Sequence, residues 1–338
     1  MKQKKIRGYT ILTVLAAFLT VLFGARGVRA EEAEVTEING SVQLIRELSQ
    51  SWEDDYTADD TAGSYQTKQI IVFADNITDY CGAVNVLRYE DIGTYYLQYD
   101  TEEDTRNAYR QLKKRYGKNC MLDEIVKAED WQMSGGASWG SDYTGLDQLK
   151  FTPSVSGLGG TVTVAVVDTG LNTQHILFSG RKISSASRNL VDNSANISDV
   201  SGHGTHVAGI VADCTPKQVE LMAVRVFDDQ GLSSEAMLQA GILYAIQKGA
   251  DVINLSLGDT NHVNNDNWLA PCIEAAWEKG IPLVCAAGNS KKDVSTCYPA
   301  CDEKTIAVSA IDRTGSFAKN FSSAEGSNFG TGIDFAAP

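Results

Sequence analysis

The sequence predicts an α/β fold, a parallel sheet sandwiched by helices, preceded by a small α+β domain. Three observations carry that prediction. First, 338 residues suffice for about two domains at roughly 150 residues each. Second, unbroken apolar runs at Val162–Val167, Leu221–Val226, Val252–Leu257, Leu283–Ala286 and Ile306–Ile311 alternate with helical stretches. The helical stretches are chiefly Val207–Ala212, Ser233–Lys248 and Asn267–Lys279. Strands that are apolar throughout are buried on both faces, and helices between them imply parallel pairing through right-handed crossovers. Third, Gln69–Val126 mixes short strands with one helix, a different rhythm that marks a separate small domain.

Composition narrows the class. Asp plus Glu number 43 against 29 Lys plus Arg, a net charge of −14, so the basic face of a nucleic-acid binder is absent. The Gly, Pro and hydrophobic contents are those of a globular chain. Seven cysteines leave at least one thiol unpaired within the chain. Lys2, Lys4, Lys5 and Arg7, the uncharged run Ile11–Gly24, and Val28-Arg29-Ala30 together read as a secretory signal peptide over residues 1–30. A spanning helix needs about 20 apolar residues. Arg26 and Arg29 follow too soon, so no stable membrane insertion is expected after cleavage. The expected location is secreted or extracellular, association with the cell envelope included. Secretion permits disulfides, and Cys297 with Cys301 can close a tight loop or remain as two buried thiols.

Along the mature chain, residues 31–68 hold ten acidic residues against Arg46 and Lys68 and read as a loosely ordered acidic leader. Residues 69–127 form the small domain. Strand Gln69–Phe73, a turn-rich piece, strands near Ala83–Leu87 and Tyr95–Tyr99, a helix over Thr101–Arg115 and a strand near Met121–Val126 follow in order. Thr101 and Asp104 stand at capping-box spacing. Residues 128–138 are a polar, Gly-rich linker into the larger domain, 139–338. There Gly249 and Gly280 close the last two helices.

Reactive side chains fall where a parallel sheet binds ligands, beyond the carboxyl ends of its strands. Asp168 follows VTVAVV, Ser256 and Gly258 end VINLSLG, and Asn289 follows LVCAAG, while His203 lies in the loop that opens the small-residue helix VAGIVA. A serine hydroxyl needs a neutral imidazole to take its proton, and the imidazole needs a carboxylate to hold its tautomer. Asp168 and His203 suit those two roles, and the Asn289 amide suits a developing oxyanion. The bland readings are specific. Asp168 in DTG also fits a turn, and an aspartic protease would need a second such motif, which is absent. His203 and His206 lack a third metal ligand at useful spacing, so no metal site is expected and His206 reads as a packing residue. Asn289 also tolerates left-handed backbone after Gly288. Gly136–Gly140 spells GxSxG around Ser138, an α/β-hydrolase alternative, but no apolar strand precedes it and no helix is expected to follow.

VAVVDTG, GHGTHVAGIVA, VINLSLG and VCAAGNS, in that order, closely resemble the subtilisin-like serine proteases, the subtilases. The resemblance spans Trp139–Pro338 and implies the family's parallel α/β/α sandwich and peptide-bond hydrolysis by a Ser-His-Asp triad. It assigns Asp168 as the triad aspartate, His203 as general base and Asn289 as oxyanion donor. Ser256, Leu257 and Gly258 would form an edge strand for the substrate backbone, with Gln230, Gly231 and Leu232 on the opposing side and Ala287 and Gly288 beside the same peptide. Cys297 precedes YPA, where the family closes its specificity pocket. Glu235, near the groove, hints at basic substrate residues before the scissile bond. QIIVF, YYLQYDTEEDTRNAYRQLKKR and LDEIV are similar to the family's inhibitor-type propeptide, a ferredoxin-like domain that blocks the site as an intramolecular inhibitor until cut between Val126 and Trp139.

The resemblance implies polypeptide substrates and no cofactor for the chemistry. Asp213–Glu220 is short and lacks the longer loop that holds a tight calcium in many subtilisins. The chain stops at IDFAAP, which in the family precedes GTSxA with the nucleophilic serine, and no GTS occurs in it. The expectation is therefore a zymogen truncated before its serine and inactive as it stands. A non-catalytic pseudoprotease that binds peptides is the rival reading.

Overall fold

The computed structural model describes residues 35–38, 66–127, 139–144, 161–258 and 268–338. The small domain is built from β1 (Val35–Ile38), β2 (Gln66–Phe73), β3 (Asn85–Tyr89), β4 (Thr94–Gln98), helix α1 (Glu102–Tyr116) and β5 (Cys120–Lys127). Its sheet runs β1-β3-β4-β2-β5, antiparallel except for β1 against β3. Ile70, Val72, Tyr95 and Leu97 pack under Ala108 and Leu112 of α1, while Ile71, Leu87, Tyr89 and Tyr96 face the larger domain. Both faces are covered, so QIIVF shows no polar alternation. Thr101 caps α1, accepting from the Asp104 N–H, and its hydroxyl donates to the Asp104 carboxylate.

Two expectations for the amino-terminal part change. The acidic leader contributes β1, Val-Thr-Glu-Ile, and the first residues of β2. Four residues of β-forming sequence are invisible against such a charged background, and it is the open edge of β3 that recruits them. A six-residue helix, α2 (Trp139–Thr144), directly follows Ser138, where none was expected. Gly140, Ser141 and Asp142 are weak helix formers, and the segment is held by packing: Gly140 lies against Pro338 and Tyr143 against Gly315. Ser138 itself, the linker 128–138 and the signal segment lie outside the described residues.

The larger domain continues with β6 (Thr163–Asp168), β7 (Lys182–Ile183), β8 (Arg188–Asn189), α3 (His203–Cys214), β9 (Glu220–Arg225), β10 (Leu232–Ser234) and α4 (Glu235–Gln247). It ends with β11 (Val252–Leu255), α5 (Ala270–Glu278), β12 (Leu283–Ala286), β13 (Ile306–Ala310) and β14 (Phe335–Ala337). The main sheet has the order β14-β13-β12-β11-β6-β9-β7, and every pairing in it is parallel. On one face Val166, Leu221 and Ala223 pack against Ala208 and Ala212 of α3; on the other, Ala165, Val167 and Val224 meet α4.

Helix α4 is buried on every side from Glu235 to Ile246 because it lies between two sheets, the parallel one below and the small domain above. Gly241 permits that depth: a Cβ there would come within 2.6 Å of Val226 and 2.9 Å of Val167. Among the described residues no helix is long and apolar enough to cross a membrane.

Candidate active site

β6, β11 and β12 are neighbours in the sheet, so the segments leaving their carboxyl ends lie side by side. Asp168 is the last residue of β6 and is 2 % exposed. Its Oδ1 accepts the Thr169 N–H at 2.7 Å and lies 2.7 Å from His203 Nδ1. Facing a carboxylate, Nδ1 carries the proton and donates it, which leaves Nε2 with the lone pair a general base requires. His203 is the first residue of α3 rather than a loop residue, and its side chain stays 19 % exposed. The helix approaches this closely because residue 204 is glycine: a Cβ would sit 2.4 Å from the Gly170 carbonyl oxygen. His206, one turn on, is held below the usual imidazole range by burial and then by His203.

Ala287, Gly288 and Asn289 turn away from the end of β12. The Ala287 N–H donates to the Val308 carbonyl, Gly288 takes φ 97°, and the Asn289 carbonyl accepts from Gly326. The turn is organised by a residue that sequence reading missed, Asn328, which is fully buried. Its Nδ2 donates to the Ala287 carbonyl at 2.7 Å, and its Oδ1 accepts from Ser290 at 3.0 Å and Lys292 at 2.9 Å. Asn328 lies in a Gly-Ser-Asn-Phe-Gly stretch that reads as an ordinary turn, so no local signal marks it.

Among the described residues Ser256, Leu257 and Gly258 follow β11 outside any ladder, and the Asn254 side chain donates to Ser256 Oγ just past the last paired residue. Gln230 and Gly231 form a tight turn closed by Asp228, which accepts both of their N–H groups. Leu232 does lie in a strand, but β10 is already paired, antiparallel, with β5 of the small domain: Leu232 with Lys127, Ser233 with Val126, Ser234 with Ile125. Glu235, expected near the groove, is 2 % exposed beneath that junction, because the small domain covers the start of α4. The same junction holds Asp123, whose Oδ1 accepts the Ala236 N–H at 2.9 Å.

All seven cysteines are unlinked thiols; Cys297 is buried and contacts Asn328 Nδ2, whereas Cys301 is exposed. Among the described residues no three His, Cys, Asp or Glu side chains group as metal ligands.

The Subtilase family model matches residues 159–338, just over half of the chain and the whole of the parallel sheet. The chain belongs to the subtilase family. It is thereby placed among serine-type hydrolases, and the α/β-hydrolase alternative built on Ser138 falls away. Alkaline serine exoprotease A of Vibrio alginolyticus is 34% identical to this subtilase over 226 residues, 64% of this chain and 39% of its own. Thermitase of Thermoactinomyces vulgaris is 36% identical over 190 residues, 53% of this chain and 63% of its own. The chain thus spans less than two thirds of these curated relatives. An epidermin leader peptide processing serine protease from Staphylococcus aureus shares the fold, with a TM-score of 0.57 over 82% of this chain and 76% of that one, at 16% identity.

Proposed function

We propose that this subtilase is the amino-terminal part of a secreted endopeptidase zymogen, with Asp168 and His203 as two members of its triad and the serine in sequence beyond Pro338. The observation that carries this reading is the 2.7 Å contact between Asp168 Oδ1 and His203 Nδ1 at the carboxyl-end rim of the sheet. His203 Nε2 takes the proton of the serine as it attacks the scissile carbonyl, and Asp168 stabilises the imidazolium that forms. The Asn289 amide donates to the oxyanion, a contribution of about 2.7–4 kcal/mol. A substrate peptide lies as an added strand between Gln230–Leu232 and Ser256–Gly258, with Ala287 and Gly288 alongside. No cofactor takes part. Residues 1–30 direct secretion and are removed, and the product acts outside the cell or at its envelope.

The small domain is the intramolecular inhibitor in this reading. Its β5 pairs with β10 on the substrate side of the groove. Lys127 lies by Leu232, while α2 lies by Pro338 beyond the far edge strand, β14. The maturation cut belongs between Val126 and Trp139 in this reading.

The test begins with the coding sequence beyond Pro338 and then assays casein hydrolysis by the protein that includes it. Replacing His203 by Ala should lower kcat/KM by ~10⁴–10⁶-fold. Equal activity in both proteins would refute the assigned base. A stop codon after Pro338, with peptide binding and no hydrolysis, would favour the pseudoprotease.

A further inference from the structure

Helix α3 begins at the residue that matters most, yet its N-cap is Gly202, which has no side chain to receive the orphan N–H groups of the first turn. Those groups find acceptors elsewhere. The Gly204 N–H donates to Thr169 Oγ1 at 2.9 Å, and the Thr205 N–H donates to Asp199 Oδ2 at 2.8 Å. The Gly202 N–H donates to Asp199 Oδ1 at 2.8 Å. Two hydroxyls complete the set: Thr169 donates to Asp199 Oδ1 at 2.9 Å and Thr205 to Asp199 Oδ2. One carboxylate therefore accepts four hydrogen bonds, one from the loop that follows Asp168, one from the N-cap Gly202 and two from Thr205 in the first turn of α3.

The clamp lies beside a pair whose two side chains meet through one carboxylate oxygen. Asp168 holds His203 through Oδ1 alone, and among the described residues its Oδ2 has no hydrogen-bond partner. The ring is carried by α3, and Asp199 ties α3 to the end of β6 together with Thr169, whose Oγ1 also accepts the Gly204 N–H directly. The residue type is determined by the donors. An amide in its place would turn an NH2 group toward N–H donors, and a hydroxyl would serve only part of the set. The negative charge also sits favourably at the helix amino terminus.

We propose that Asp199 is a positioning residue for the Asp168–His203 pair, acting through Thr169 and the first turn of α3. This rests on the reading of that pair as the acid and base of the site, and its test keeps the two claims apart.

The whole chain, labelled with 15N at histidine, is observed by NMR, with His203 assigned by its disappearance in His203→Gln. The wild type should show neutral His203 protonated at Nδ1, with a low-field, slowly exchanging ring proton. Asp199→Asn should lose that proton signal and give a mixture of tautomers. Thr169→Val, which keeps size and charge and removes only the linking hydroxyl, should do the same and covers the case in which the Asp199 variant fails to fold. A ring proton that persists in folded Thr169→Val or Asp199→Asn would overturn the proposal, even if the melting temperature falls, because that is the mark of a purely structural role. Asp168→Asn separates the parent reading: retention of the Nδ1 signal there would refute the pair itself, and the clamp with it.

Discussion

At the scale of single residues, the turn carrying Asn289 owes its shape to Asn328. The two backbone N–H groups it receives come from half-buried Ser290 and exposed Lys292, and neither residue lies in a strand. Truncating Asn328 to Ala removes their acceptor and leaves the Ala287 carbonyl without its Nδ2 donor. A buried group deprived of its partner costs about 1–3 kcal/mol. We expect Asn328→Ala to lower stability by roughly that amount in thermal unfolding and to speed hydrogen exchange at Ser290 and Lys292 while leaving β6 unchanged. The side chain was illegible in the sequence for a plain reason: its partners stand 36 to 41 positions earlier. Asp168 and His203 were legible, because a strand end and a helix start each leave a local pattern.

At the scale of elements, α4 illustrates how context overrides a local rule. Alanine exceeds glycine in helix propensity by about 0.8–1 kcal/mol, so Gly241→Ala looks stabilising from sequence alone. The added Cβ would instead press into Val226, just past β9, and Val167 of β6, both buried branched side chains, and overpacking of that kind costs about 1–3 kcal/mol. The net effect expected is a loss, measurable as a lower denaturation midpoint with an unchanged m-value. The helix itself was legible from Ser233–Lys248 and its terminating Gly249, and Ser234 caps it as the polar start suggests. Its all-round burial was not legible, because an apolar helix does not reveal what lies on its second side.

At the scale of the whole molecule, the two domains share one hydrophobic cluster, with Ile71, Leu87, Tyr96 and Met121 of the small domain joined to α4 and α5. Polar contacts align it. The Tyr96 hydroxyl donates to Gln239 at 2.8 Å inside the cluster, and Asp123 serves as an external cap for α4. Asp123→Ala leaves the Ala236 N–H without that acceptor and should weaken docking of the small domain by about 1–3 kcal/mol. The readouts are faster hydrogen exchange in β5 and β10 and earlier release of the amino-terminal part in limited proteolysis. Unchanged protection in both strands would show that the apolar contact alone holds the domains together.

The sequence by itself determined the parallel sheet, the small preceding domain, the capped helix α1 and the positions of Asp168 and Asn289 relative to strand ends. Burial on both faces, capping and helix termination act over a few residues, so they leave patterns a reader can follow. Only the tertiary structure decided that Asp168 meets His203, that Asp199 and Asn328 hold the segments around them, that β5 occupies β10, and that Glu235 is buried. Those outcomes depend on residues tens of positions apart being brought together by the stacking of layers, and packing between layers leaves no periodic mark in either partner.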